Sequence, residues 1–123
     1  MAEGVEEKEP TELERLQKDW GFTLRSEELP GGFVVHYLEF KDGRAYKFQE
    51  PEFFAIHEQI QESRDLYVSA MRLGLNNLHP LNENSPKIDE AYLRKKKNRG
   101  EGLGLWAKFF TEVLFRETDE EGV

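Results

Sequence analysis

The sequence predicts an α+β domain with a short N-terminal helix, a small antiparallel hairpin or meander, and three helices after it. Three observations carry this. Phe33 to Phe40 (FVVHYLEF) is rich in β-branched and aromatic residues, a composition that fits strands. Asp42-Gly43 separates it from a second such run, Arg44-Ala45-Tyr46-Lys47-Phe48. From Pro51 onward, apolar residues recur at helical rather than alternating spacing.

The elements follow in order. Thr11 can cap a first helix, and Glu14 has the spacing to reach back to it as a capping box. Leu13, Leu16 and Trp20 share one stripe of that helix, which ends before Gly21. Phe22-Thr23-Leu24-Arg25 alternates as a strand does, and Leu29-Pro30-Gly31-Gly32 reads as a turn. With Asp42-Gly43 as a two-residue type I′ turn, Tyr37 faces Phe48, Glu39 faces Tyr46 and Phe40 faces Ala45. Both hairpin faces are then apolar, Phe33, Val35, Tyr37, Tyr46 and Phe48 on one and Val34, His36, Leu38 and Phe40 on the other. A hairpin of that kind needs cover on two sides, from its own helices or from a partner.

Pro51 suits the first turn of a long helix. Phe53, Ile56, Ile60, Tyr67, Ala70 and Met71 hold its spacing as far as about Leu73, with Gly74 as terminator. Asn76 to Asn84 reads as a polar loop. Ser85-Pro86 opens a third helix as N-cap and N1, with Ile88, Ala91 and Tyr92 on its stripe. Gly100-Glu101-Gly102-Leu103-Gly104 breaks it, and a fourth helix carries Leu105, Trp106, Phe109, Phe110, Val113 and Leu114. The organisation expected is an acidic, disordered tail over 1–10, one domain over 11–116 and a second acidic tail over 117–123.

With 123 residues there is room for one core and no second one. The chain has no cysteine, so disulfides, thiolate nucleophiles and Cys-ligated zinc are excluded. Met1 to Pro10 has no apolar stretch of a signal peptide. No apolar run approaches the roughly 20 residues of a spanning helix. The expectation is a cytoplasmic protein, in the host cytoplasm if viral, with no membrane partner. A net charge of −8 argues against a general nucleic-acid coat, which needs a basic field.

Catalytic and metal motifs are incomplete. His57-Glu58-Gln59-Ile60-Gln61 begins like a zinc-protease helix, but Gln61 stands at the second ligand position. Gly100-x-Gly102-x-Gly104 lacks the Lys-Ser/Thr ending of a phosphate loop and follows a helix instead of a strand. Ser26, Ser63, Ser69 and Ser85 sit in no nucleophile elbow. No cofactor and no enzymatic activity are expected.

The most distinctive segment is Arg94-Lys95-Lys96-Lys97-Asn98-Arg99. Arg94, Lys95, Lys96, Lys97 and Arg99 could grip phosphates while Tyr92 or Trp106 stacks on a base. They could also complement a helix dipole, or dock on an acidic protein surface or on this protein's own acidic tails. The overall acidity of the chain weighs against nucleic acid and leaves protein contact favoured. Trp106, Phe109, Phe110 and Val113 are the expected partner-binding residues, with the basic patch steering an acidic protein partner. Phe53 and Phe54 are read as core.

The order of elements resembles that of bacteriophage tail assembly chaperones. The residues that carry the likeness are Tyr37-Leu38-Glu39-Phe40-Lys41-Asp42-Gly43-Arg44-Ala45-Tyr46-Lys47-Phe48, the helix opened by Glu50-Pro51-Glu52, and Asp65-Leu66-Tyr67 within that helix. It spans about Phe33 to Phe115, is a pattern of elements with no binding motif, and leaves the basic cluster without a counterpart. The resemblance implies an oligomerising, non-enzymatic protein that shields apolar helices of a tape-measure protein. The functional expectation is therefore a protein-binding assembly or adaptor factor, with a homo-oligomer as an option. Two alternatives stand beside it: a nucleic-acid-binding module, and a small inhibitor of a host enzyme such as RNA polymerase.

Overall fold

The structure, a computed structural model, describes residues 9–115. The tails expected over 1–10 and 117–123 therefore lie outside the described residues, save Glu9 and Pro10. The fold is α+β: helix α1 (Glu12–Trp20), strands β1 (Phe22–Glu28), β2 (Val34–Phe40) and β3 (Ala45–Gln49), helices α2 (Phe53–Ser63) and α3 (Leu66–Asn76), strand β4 (Leu78–Pro80) and helix α4 (Glu90–Arg94). A 3-10 turn (Lys96–Asn98) then leads into α5 (Arg99–Glu101), a π segment (Gly102–Trp106) and α6 (Ala107–Phe115). The four strands form an antiparallel meander in the order β1-β2-β3-β4.

Helix α1 starts as its sequence dictates. Thr11 Oγ1 accepts from the Glu14 N–H at 3.1 Å, and Glu14 Oε1 accepts from the Thr11 N–H at 2.9 Å, satisfying two otherwise orphan donors. Gly21, at φ 68°, ends the helix in the left-handed conformation.

The β2–β3 turn corrects the predicted register. Lys41, Asp42 and Gly43 form a three-residue loop in which the Gly43 N–H donates to Phe40 O at 3.0 Å and the Phe40 N–H to Arg44 O at 2.8 Å. Gly43 sits at φ 100°, the glycine bulge position that such loops use. The extra residue moves pairing by one, so that Leu38 faces Tyr46, His36 faces Phe48 and Tyr37 faces Lys47. A one-residue slip exchanges faces. His36, Leu38, Phe40, Tyr46 and Phe48 thus share the inner face, all of them buried. The outer face is mixed: Val35 is buried, Tyr37 lies under the Arg25 guanidinium at 4.2 Å, and Glu39 is exposed.

The single long helix expected from Pro51 to Leu73 is two helices. Arg64 turns left-handed at φ 59° and caps α2, and Asp65 Oδ1 accepts from the Val68 N–H at 2.9 Å to start α3. Asp65 is a strong N-cap residue, and this local signal outweighs the continuous apolar spacing. Gly74 is inside α3 and does not end it; a Cβ there would fall 2.2 Å from the Phe110 ring, so the glycine admits the aromatic. The polar loop expected over Asn76 to Asn84 contains β4, with Leu78 buried opposite Phe48. Ser85 does not cap a helix. Its Oγ accepts from the Ala45 N–H at 2.7 Å and donates to Asn82 at 2.6 Å, while Asp89 caps α4.

The glycines expected to break the third helix from the fourth do the reverse. Residues 99–106 continue helically into α6 through the π segment, where the Ala107 N–H donates to Gly102 O. Gly102 and Gly104 face inward, and Cβ atoms there would lie 3.0 Å from Leu93 and 2.9 Å from Trp20. The core closes between this helix and the sheet. Trp106 meets Tyr46 edge-on at 5.4 Å, Phe110 lies 5.4 Å from Phe48, and Phe109 is 5.9 Å from Phe48. Among the described residues no helix is long and apolar enough to cross a membrane.

Candidate protein-docking surface

Packing decides first what is unavailable. Trp106, Phe109 and Phe110 each have 0 % exposure, and Val113 packs partly buried against the same core. The expected binding face of the last helix is the core itself, since the meander and α3 cover it. The basic patch has a different placement. Arg94 ends α4 and donates to Glu90 at 2.9 Å. Lys95 at the end of α4, Lys96 and Lys97 on the 3-10 turn, and Arg99 at the start of α5 are exposed. Neither aromatic proposed to stack beside them is free. Tyr92 donates to Glu101 Oε1 at 3.0 Å, and Trp106 donates to Glu101 Oε2 at 2.7 Å.

Glu101 is the polar centre of this end of the molecule. It also receives Arg44 Nη1 at 3.1 Å, and the Arg44 guanidinium lies 4.5 Å over Phe40. Burial works against the Arg44 charge, but Glu101 and Asp42 outweigh it and raise the pKa. Burial pushes the Tyr46 hydroxyl up to about 12, where it donates to Pro86 O at 2.6 Å. Burial, with Glu101 next to it, likewise raises Tyr92. These groups fix the π segment to the sheet.

The apolar surface left outside is elsewhere. Leu103 is 64 % exposed and Tyr67 48 %, and the two line adjoining grooves between α3 and the last helix. One groove, about 230 Å³, is walled by Met71, Leu93, Gly102 and Arg99. The other, about 420 Å³, runs on past Ala107, Lys108 and Thr111 to Glu12 and Glu112. Leu66 stands exposed beside Tyr67. Leu103 points outward from the helix between Gly102 and Gly104, which are pressed against Leu93 and Trp20. The basic patch therefore sits at the mouth of an apolar groove, with Arg99 belonging to both.

A second apolar projection stands at the start of α2. Phe53 and Phe54, expected in the core, are 68 % and 72 % exposed. Their rings pack edge-on at 5.3 Å, and the His57 ring stacks on Phe53. Glu52, whose side chain accepts from the Phe54 N–H at 3.2 Å, and Glu58 flank them.

One polar relay lies apart from both. His36 Nδ1 contacts Ser26 Oγ at 2.7 Å and His36 Nε2 contacts Glu50 Oε2 at 2.5 Å. Phe48 and Phe109 pack on the imidazole. With both ring nitrogens engaged, the histidine ties β1, β2 and the segment entering α2. Among the described residues no group of three or more His, Asp or Glu could hold a metal ion.

Sequence reasoning missed Tyr67, Leu103, Phe53 and Phe54 as surface residues. Leu103 carried a usable signal: a leucine between two glycines inside a helix marks glycine sides that approach a neighbour and a leucine side that does not. Tyr67 and Phe53 shared the apolar spacing of a helix assumed to be continuous, and the break at Arg64 sets their orientation.

No known protein family matches the chain, and neither a curated protein nor a solved structure matches it.

Proposed function

We propose that the chain is a non-enzymatic, protein-binding assembly or adaptor factor of the cytoplasm, docking partners in the groove between α3 and the last helix. The observation that carries this is the 64 % exposure of Leu103 at the centre of an apolar groove rimmed by Arg99 and Lys108. Exposed apolar side chains gathered at one concave site and ringed by polar groups mark interaction surfaces. The occupant that fits is a segment with a bulky apolar anchor and acidic flanks. Arg99 and the preceding lysines would raise its encounter rate, and burial of the anchor would supply affinity. A tail assembly chaperone is one member of this class, on the element-order resemblance of the sequence alone. An inhibitor of a host enzyme would use the same contact.

The test is capture from the native source followed by crosslinking. Partners should crosslink at Lys108 and Lys97 and be lost with Leu103→Asp, while circular dichroism and thermal midpoint stay unchanged. Capture that is indifferent to Leu103→Asp contradicts the proposal.

The exposure of Lys95, Lys96, Lys97 and Arg99 favours nucleic acid as the second reading. It rests on charge alone, because Tyr92 and Trp106 are held by Glu101. Binding of that kind would fall steeply with salt and lose slope when the lysines are replaced.

A further inference from the structure

We infer that the groove takes the Phe53–Phe54 projection of a second copy of this chain, so that the protein self-associates head to tail. The inference rests on the groove being a docking site, and names its occupant. The two surfaces are complementary in shape and charge. The projection is convex, with two exposed rings in edge contact, and Glu52 and Glu58 beside it are exposed acids. The groove is concave and apolar, and its walls carry Arg99 at one end and Lys108 at the other. The far end also holds Glu12 and Glu112, so the acidic rim of the projection is matched at the Arg99 end, where Lys95, Lys96 and Lys97 lead into the wall.

The occupant comes from another molecule because of where α2 lies. Phe53 starts the helix, whereas Tyr67 of the groove comes just after its end. At about 1.5 Å per residue, an eleven-residue helix holds the projection about 16 Å from that end. A rigid helix cannot fold its first turn onto the groove beyond its last. Two different surfaces that meet in this way make a heterologous contact, which adds copies in sequence, as a ring where the rotation closes and as an open filament where it does not. Both anchors are exposed in the single chain, so replacing them leaves the core intact.

The experiment is sedimentation velocity of the full chain over a concentration series, with two variants. Wild-type mass should rise with concentration past a dimer, and the rise should weaken at high salt. Phe53→Ser combined with Phe54→Ser, and separately Leu103→Asp, should each weaken association at least tenfold. Mixing these two variants should restore association and stop at a heterodimer, because the mixture holds one intact projection and one intact groove. A mixture that stays monomeric while wild type associates overturns the inference. So does wild type that remains monomeric at every concentration. If partner capture still depends on Leu103 in that case, the groove remains a docking site for another protein and only the identity of its occupant falls. If capture is also indifferent to Leu103, both fall.

Discussion

The indole N–H of Trp106 reaches the carboxylate of Glu101 at 2.7 Å, five residues back along the chain. That separation equals the i→i+5 hydrogen-bond span of a π turn, and the backbone between them is the π segment Gly102–Trp106. The same carboxylate takes Tyr92 and Arg44. One acidic side chain therefore joins α4, the β2–β3 turn and the last helix, and presents Leu103 on the outside of the widened turn.

Removing that carboxylate should be costly. Glu101 and Arg44 side chains are 14 % and 17 % exposed, and breaking one half of a buried pair costs about 3–5 kcal/mol. Glu101→Ala should lower unfolding free energy by about 3 kcal/mol in urea titrations. Glu101→Gln, which can still accept from Trp106, should lose less.

Two glycines in helices should respond in opposite directions to alanine. At Gly74 a Cβ would strike the Phe110 ring at 2.2 Å, and overpacking of that kind costs about 1–3 kcal/mol. At Gly100 nothing lies within 4 Å, so Gly100→Ala should gain up to about 1 kcal/mol from helix propensity. Thermal midpoints of the two variants should move apart, down for the first and up for the second.

Alkali should unfold the protein through Tyr46. Its pKa is about 12 in the fold against about 10 in an unfolded chain. The folded state therefore holds the phenolic proton more tightly. The stabilisation, on the order of 2–3 kcal/mol, is complete below pH about 10 and is lost as pH rises through 12. Tyr92, also raised by burial, acts with the same sign. Tyr46→Phe should flatten the fall in stability above pH about 10, measured by denaturant titration at stepped pH. Its neutral-pH stability should drop, because Pro86 O loses its donor.

The meander was legible in the composition of Phe33 to Phe48, and its register was not. Asp42-Gly43 suggested a two-residue turn, but Gly43 serves as the third residue of a longer loop, and the slip exchanges the two faces of β2 against β3. The capping box at Thr11 and Glu14 was fully local and read correctly. The break at Arg64 and Asp65 was also local, yet apolar spacing on both sides of it masked the cap. The surface residues were the least legible. Trp106 and Leu103 both belong to an apolar run, and only the π segment, with its two close-packed glycines, puts one inside and the other out.

The basic patch should act on encounter and not on residence. Replacing Lys95, Lys96 and Lys97 with alanine should slow partner association and reduce its salt dependence, with little change in dissociation rate. Surface plasmon resonance across a salt series separates the two. Dissociation accelerated as strongly as association is slowed would place the lysines inside the contact.

The lack of cysteine allows the most direct measurement. Leu103→Cys can be labelled at one site with a polarity-sensitive dye, with His79→Cys as a control on β4. Adding unlabelled wild type, or extract from the native source, should shift emission at position 103 to the blue and leave position 79 unchanged. A dye at position 103 that stays in a water-like environment under both additions would contradict the claim that this groove is where the protein binds.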